Sequence, residues 1–289
     1  MKIPETPPKQ PAGFQFSDVL GDLLRKGKYD AVIEINENKY PYWNRWKYLA
    51  KEWQYDPAQL WAAAKILRGG KLLVLGSLPM FRLNAPAAVQ QLLHELDMNL
   101  GGTLQGESII PTEEKERYLL SSLMEEAIAS SQLEGAATTR KVAKEMLENN
   151  RKPRNHSEQM IANNFEAMKW IVANKAQPFT PDNIRQVHAM ITRNTLSNRE
   201  EEGTFRKDNE VNVVDVQTGN IVYHPPDYWR LDALIDQFCR FANDQDAQRF
   251  FIHPVSKGII VHFLIGYLHP FADGNGRTAR TLFYWYLLK

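Results

Sequence analysis

Apolar residues recur along this chain at helical rather than strand spacing. In the segment that begins at Glu113, Leu119, Leu123 and Ala127 follow one another four residues apart, as do Leu120, Met124 and Ile128. That pattern predicts one long helix with a single buried stripe. Gly135 stands where a left-handed, helix-ending residue belongs. Further helices are predicted at about 139–149, 156–174 and 181–194, the last opened by Thr180-Pro181. Others follow at about 227–243, 254–268 and from Asn275 to Lys289. Upstream, Asp56-Pro57 opens a helix that Gly69-Gly70 end, and "APAAVQQLLHELDMNLGG" is another, stopped by glycines. Ala31 to Ile35 reads as a short strand in an otherwise mainly helical N-terminal region. One segment breaks the helical period: Val211, Val213 and Ile221, Val222, Tyr223 flank a turn at Gly219-Asn220, a β-hairpin ended by Pro225-Pro226. The expected fold class is all-α with one β-hairpin. Its organisation is an N-terminal region over 1–105 and a second domain over 106–289. Residues 1–13, rich in Pro, Lys and Gln, read as a draped arm.

Composition narrows the function classes. Hydrophobic residues make up 43% of the 289, enough for a sizeable core. Lysine plus arginine, 35, nearly balances aspartate plus glutamate, 34, so the net charge of +1 gives no footprint for general nucleic-acid binding. Cys239 is the sole cysteine and can form no internal disulfide. The first residues have no apolar core of a signal peptide. The longest apolar run, Gly258 to Phe271, is shorter than the about 20 residues that span a bilayer. A soluble cytoplasmic chain without membrane contact is the expectation, with a homo-oligomer left open.

Chemistry concentrates in "LHPFADGNGRTAR", Leu268 to Arg280. The preceding segment, with Ile259, Ile260, Val261, Phe263, Leu264, Ile265 and Leu268, is apolar nearly all round and predicts a central core helix. His269-Pro270 ends it. Asp273-Gly274-Asn275-Gly276 must then turn sharply into a new helix. Successive backbone N–H groups at such a turn make an anion-binding nest. Arg277 and Arg280, three apart, share one helix face beside it. Asp273 offers a hard oxygen to Mg²⁺, and His269 can act as a base near neutral pH. A Walker A loop would need a Lys-Ser/Thr pair that is absent, and an EF-hand would need an acid where Tyr284 stands. Turn propensity alone accounts for Gly-Asn-Gly but not for a base, an acid, a nest and two arginines within thirteen residues.

His269 to Arg280 matches, at every specified position, the signature H-P-F-x-[DE]-G-N-G-R-x-x-R, and the chain thereby resembles the Fic family. "HPVSKGIIVHFLIGYLHPF" resembles the helix before the Fic loop, and "GTFRKDNEVNVV…YHPP" the family's flap hairpin, at about 208–224, with its Gly-x-x-Arg lead-in. The resemblance covers roughly residues 110 to 289. It implies transfer of a nucleotide, most commonly AMP from ATP, to a Ser, Thr or Tyr hydroxyl of a target protein. His269 would take the hydroxyl proton. Gly274, Asn275 and Gly276 would hold the α-phosphate, Asp273 would place Mg²⁺, Arg277 would meet the β-phosphate and Arg280 the γ-phosphate. Phe271 reads as a core anchor of the loop. Family members usually continue past "RTARTLFYWYLLK", so its apolar side is expected to be covered by the N-terminal region or to belong to a longer sequence.

"SSQLEG", Ser130 to Gly135, reads from spacing alone as a frayed helix end, although a glutamate is slightly unfavourable there and invites a cation. Self-inhibiting Fic proteins carry [ST]-x-x-x-E-[GN], which these residues match. The resemblance implies that Glu134 pairs with Arg280 and occupies the arginine that a γ-phosphate needs, on an inhibitory helix at about 113–135. Removal of AMP from a modified protein, transfer of another nucleotide, and a non-enzymatic partner-binding regulator are the competing readings. The hairpin reads equally as a clamp for an extended target segment or as a structural excursion. Arg206 reads as a brace for the flap and His262 as a core histidine. His94, His156, His188, His224 and His253 show no metal-ligand spacing. Tyr42, Trp43 and Trp46 read as packing rather than recognition.

Overall fold

The computed structural model describes residues 5–76, 78, 80–100, 112–215, 218–246 and 250–289. Among these it contains twelve α-helices and two small hairpins. The chain divides into two compact units, residues 1–74 with 79–105, and residues 75–78 with 106–289.

The first unit holds α1 (Phe16–Arg25), α2 (Tyr29–Asn38), α3 (Trp43–Trp53), α4 (Pro57–Leu67), a hairpin of β1 (Lys71–Leu73) with β2 (Phe81–Leu83), and α5 (Ala87–Leu100). Asp56 caps α4 by accepting from Gln59 N at 2.8 Å, with Pro57 at the first helical position. Leu23, Val32, Trp46, Ala50, Leu60 and Ala63 are fully buried between the helices. Trp43 and Trp46 belong to this core, whereas Tyr42 is exposed. The strand expected at Ala31 to Ile35 is instead the middle of α2. Val32 and Asn36 lie one turn apart on its buried face, and Asn36 Nδ2 donates to Ala64 O of α4 at 3.0 Å. Tertiary packing overrides the β preference of Val and Ile here. The β1–β2 hairpin is a second hairpin where one was expected. Its strands are three residues each, too short for alternation to be read.

The second unit is a helical bundle: α6 (Thr112–Leu133), α7 (Arg140–Glu148), α8 (His156–Ala173), α9 (Pro181–Thr192), α10 (Leu231–Ala242), α11 (Pro254–Leu268) and α12 (Asn275–Leu288). The hairpin of β3 (Val213–Val214) and β4 (Ile221–Tyr223) stands between α9 and α10 in the chain. Helix α8 is buried among its neighbours through Ile161, Ala167, Met168 and Ile171. It runs antiparallel to α6, since Ser131 Oγ lies 3.4 Å from Met160 O and Asn164 Nδ2 3.2 Å from Ala127 O. Continued, that register brings the end of α8 opposite Leu119 and Leu120, which are exposed. The buried stripe of α6 therefore begins at Leu123, later than its spacing suggests.

Helix α11 differs in a similar way. Ile260, Val261, Leu264, Ile265 and Leu268 are buried, but Ile259 and Phe263 are half open. His262 lies on this open face and is exposed, so it is not a core histidine. One side of α11 is pressed on α12: a Cβ at Gly258 would stand 3.1–3.2 Å from the Phe283 and Tyr286 rings. The glycine lets the two axes approach, which sets where the loop between α11 and α12 emerges.

Candidate active site

The loop from His269 to Gly274 joins α11 to α12. His269 ends α11 in the left-handed conformation, φ 45°, and its N–H still bonds back to Ile265 O. Gly274, φ 77°, precedes the first turn of α12. A side chain at Gly274 would stand 2.7 Å from Thr192 Cγ2, so both backbone angle and space require glycine. Thr278 N is the first to bond back, to Gly274 O. The N–H groups of Asn275, Gly276 and Arg277 thus have no acceptor within the helix and form its positive end. The Asn275 side chain is spent inside the loop: Oδ1 accepts from Phe271 N at 3.0 Å and Nδ2 donates to Phe271 O at 2.8 Å. Its backbone N–H is left for an anion. Phe271 is fully buried.

The loop is braced on its far side. Arg206 N donates to Pro270 O at 2.8 Å, and its Nε to His269 O at 3.0 Å. The same guanidinium bonds Asp208 O, Asn209 Oδ1 and Pro226 O. Arg206 therefore ties both ends of the hairpin segment to the loop. Tyr223 OH adds a bond to Tyr267 O on α11. The hairpin carries exposed Val214, Ile221 and Val222. His188 of α9, fully buried, bonds Asp273 O at 2.8 Å and is stacked on Phe271, centroids 3.6 Å apart. Its spacing in the sequence fits no metal site and assigns it no other role. Its position one turn after Ile184, within the buried face of α9, was the available signal.

The expected site residues separate into two groups. His269, Asp273, Gly274, Asn275 and Gly276 lie together in the loop and first turn. The His269 Nδ1 faces Gly266 O at 3.3 Å; a carbonyl can only accept, so the proton sits on Nδ1 and Nε2 keeps its lone pair. Burial lowers the imidazole pKa below its ordinary value, the Gly266 carbonyl opposing this in part. Asp273 is exposed, and its carboxylate accepts from Gly274 N.

Arg277 and Arg280 do not share an open face. Arg277 is 2% exposed and donates to Ile191 O at the end of α9, while its Nε has no partner among the described residues. It is a cation held under the loop at the negative end of a helix. Arg280 turns toward α6. Its Nε donates to Ser130 Oγ at 2.7 Å, and Nη2 to Ser130 O at 3.0 Å and to Glu134 Oε1 at 2.7 Å. Helices α9 and α6 both pack on α12, and each draws one of the pair: Ile191 O takes Arg277 and Ser130 takes Arg280.

Glu134 caps the end of α6. Gly135, φ 95°, follows it, with Ala136 N bonded to Ser131 O and Gly135 N to Gln132 O. This closing pattern points the Glu134 side chain out of the helix. Its Oε1 fills the space above Gly276, 2.2 Å from where a Cβ would stand. A carboxylate thus lies over the positive end of α12. No cluster of three or more metal-binding side chains occurs among the described residues.

Comparison with known proteins agrees with this geometry. The Fic/DOC family matches residues 178–287. "Protein adenylyltransferase Fic" of Aedes aegypti is 35% identical over 121 residues, 40% of this chain and 21% of that protein. The protein of the same name from Drosophila melanogaster is 35% identical over 120 residues, 40% of this chain and 22% of its own. The chain thus spans about a fifth of the length of these curated relatives. A Fic-domain-containing signaling protein from Bacteroides thetaiotaomicron shares the fold, with TM-score 0.56 and 20% identity, over 68% of this chain and 71% of that one. The match to the Fic/DOC family model takes in the loop, its bracing elements and the helix after it.

Proposed function

We propose that this chain is a protein adenylyltransferase, moving AMP from ATP to a Ser, Thr or Tyr hydroxyl of a target protein, and that Glu134 restrains it. The observation that carries the reading is the joining of a lone-pair-bearing His269 to an open helix N-terminus by a loop in which side-chain and backbone donors tie back the carbonyls. Relatives named for that activity support it.

His269 Nε2 takes the proton from the attacking hydroxyl oxygen as that oxygen bonds the α-phosphorus and the bond to pyrophosphate breaks. The N–H groups of Asn275 and Gly276 stabilise charge that develops on the α-phosphate. Arg277 contributes fixed positive charge from beneath, and Arg280, once freed from Glu134, is the cation for the γ-phosphate. Positioning and electrostatics suffice for such a transfer. The residues fit Mg²⁺: a single exposed carboxylate, Asp273, beside a phosphate site is the usual protein share of a Mg²⁺ shell. When bound, that ion would neutralise charge between the phosphates.

Restraint follows from the shared partner. While Glu134 holds Arg280 and covers the end of α12, a triphosphate has neither the arginine nor clear access to the helix end. The test is incorporation of label from α-labelled ATP into lysate proteins by the wild-type and Glu134→Gly chains. Incorporation by the variant that requires His269 supports the reading. Its absence, or release of AMP from premodified protein as the only activity, sinks it.

A further inference from the structure

We propose that His188 is a positioning residue for this transfer: it fixes the Asp273–Gly274 peptide so that the loop turns its donors outward, and it ties that peptide to the lead-in of the hairpin at Gly203. The inference rests on the transferase reading above. His188 touches neither the acceptor nor the phosphates; it acts through the loop.

Gly203 N donates to His188 Nδ1 at 2.9 Å, so that nitrogen carries no proton. Nε2 must then bear it and donate to Asp273 O at 2.8 Å. One tautomer satisfies both ring nitrogens, each against backbone. Because the peptide is trans, a carbonyl drawn toward α9 sends the Gly274 N–H the opposite way. Three other loop carbonyls are tied in the same manner. His269 O and Pro270 O accept from Arg206, and Phe271 O from Asn275. Gly274 O already accepts from Thr278 N in the first turn of α12, so Asp273 O is the last loop carbonyl outside the helix, and His188 holds it.

The ring cannot turn away. It stacks on Phe271 with an interplanar angle of 2°, and a Cβ at Gly274 would stand 3.2 Å from Nε2. Gly203 is equally fixed, φ 71°, with a Cβ position 2.9 Å from Ala189. A histidine that merely filled space would need neither bond, and an apolar ring would serve as well.

An asparagine amide reaches roughly the place of Nδ1, and a glutamine amide roughly that of Nε2. In the Glu134→Gly background, His188→Gln therefore keeps a donor for Asp273 O, while His188→Asn keeps only the partner of Gly203. The expected result is transfer reduced about 10-fold or more in Asn and less than about 3-fold in Gln, because small misplacements of reacting groups are costly. Melting temperatures of the two variants should agree, and amide exchange at Gly274 should quicken only in Asn. Equal losses in Gln and Asn, or losses that follow melting temperature, overturn the proposal. If the parent does not transfer AMP at all, the transferase reading has failed on its own, and Gly274 exchange still decides the positioning role. Should both variants misfold, imidazole ¹⁵N shifts of the unsubstituted chain decide it. A single Nε2–H tautomer at His188 supports the proposal, and tautomer averaging overturns it.

Discussion

Glu134 Oε1 lies 2.7 Å from Arg280 Nη2 and simultaneously fills the space above Gly276. The pair joins the residue just past the end of one helix to the second turn of another, 146 residues later. Neither side chain is fully buried, at 36% and 21% exposed. Its consequence is therefore one of occupancy rather than of stability.

Glu134→Gly should raise incorporation from α-labelled ATP about 5- to 30-fold. Discounted for exposure, a charged hydrogen bond of this kind contributes about 1–2 kcal/mol. Arg280→Ala should cancel the gain in the double variant, because the γ-phosphate then lacks its partner as well. Incorporation should be measured for the wild type, both single variants and the pair. Equal incorporation by wild type and Glu134→Gly, with ATP bound in both, would return Glu134 to an ordinary helix cap.

His269→Ala, in the Glu134→Gly background, should lower transfer by about 10²–10⁴ while Mg-ATP affinity stays within about 3-fold. The base works in its neutral form, and burial lowers its pKa below the ordinary value of 6.5. Transfer should therefore rise with pH, with the midpoint of the rise below that value. Initial rates across about pH 5 to 8 locate the limb; a midpoint above 6.5 contradicts the assignment.

Asp273→Asn should weaken turnover and shift its Mg²⁺ dependence to higher concentration, since a neutral amide is a poorer ligand for a hard cation. Fold should be retained, because an amide oxygen can still accept from Gly274 N. An unchanged Mg²⁺ titration would leave Asp273 as a turn former.

A stability test lies away from the site. Glu158, 4% exposed, accepts from both Arg151 Nη1 and Nη2 at 2.9 Å and from Arg154 N at 2.7 Å. The Arg151 bonds, first, hold its carboxyl below the ordinary value of 4.5. The unfolded chain then binds the proton more readily, so this contribution is complete above about pH 4.5 and is lost as pH falls. Glu158→Ala should cost about 1–3 kcal/mol near neutral pH, by denaturant unfolding. The gap between variant and wild type should narrow below about pH 4.

Much of the fold was legible because helix ends carry local chemistry. Thr180-Pro181, Asp56-Pro57 and Gly135 mark real termini, and Glu134 meets Arg280 as the motif suggested. What escaped depends on distant partners. Val32 and Ile33 look like strand residues until Asn36 finds Ala64. Arg277 looks like a twin of Arg280 until Ile191 O draws it inward. His188 and Asp273 are 85 residues apart, and no local pattern announces their bond.

The closing turn of α6 has a kinetic consequence. Glu134 stands just past the end of a helix, in the turn closed by Gly135 and Ala136, and not in the middle of a packed element. Terminal turns open and reclose in nanoseconds to microseconds, whereas enzymes of ordinary speed turn over about 1 to 10³ times per second. Within one turnover the carboxylate would leave and regain Arg280 very many times. The restraint proposed above would then be a dial rather than a lock. It would set how much free nucleotide the site needs and respond at once when that concentration changes.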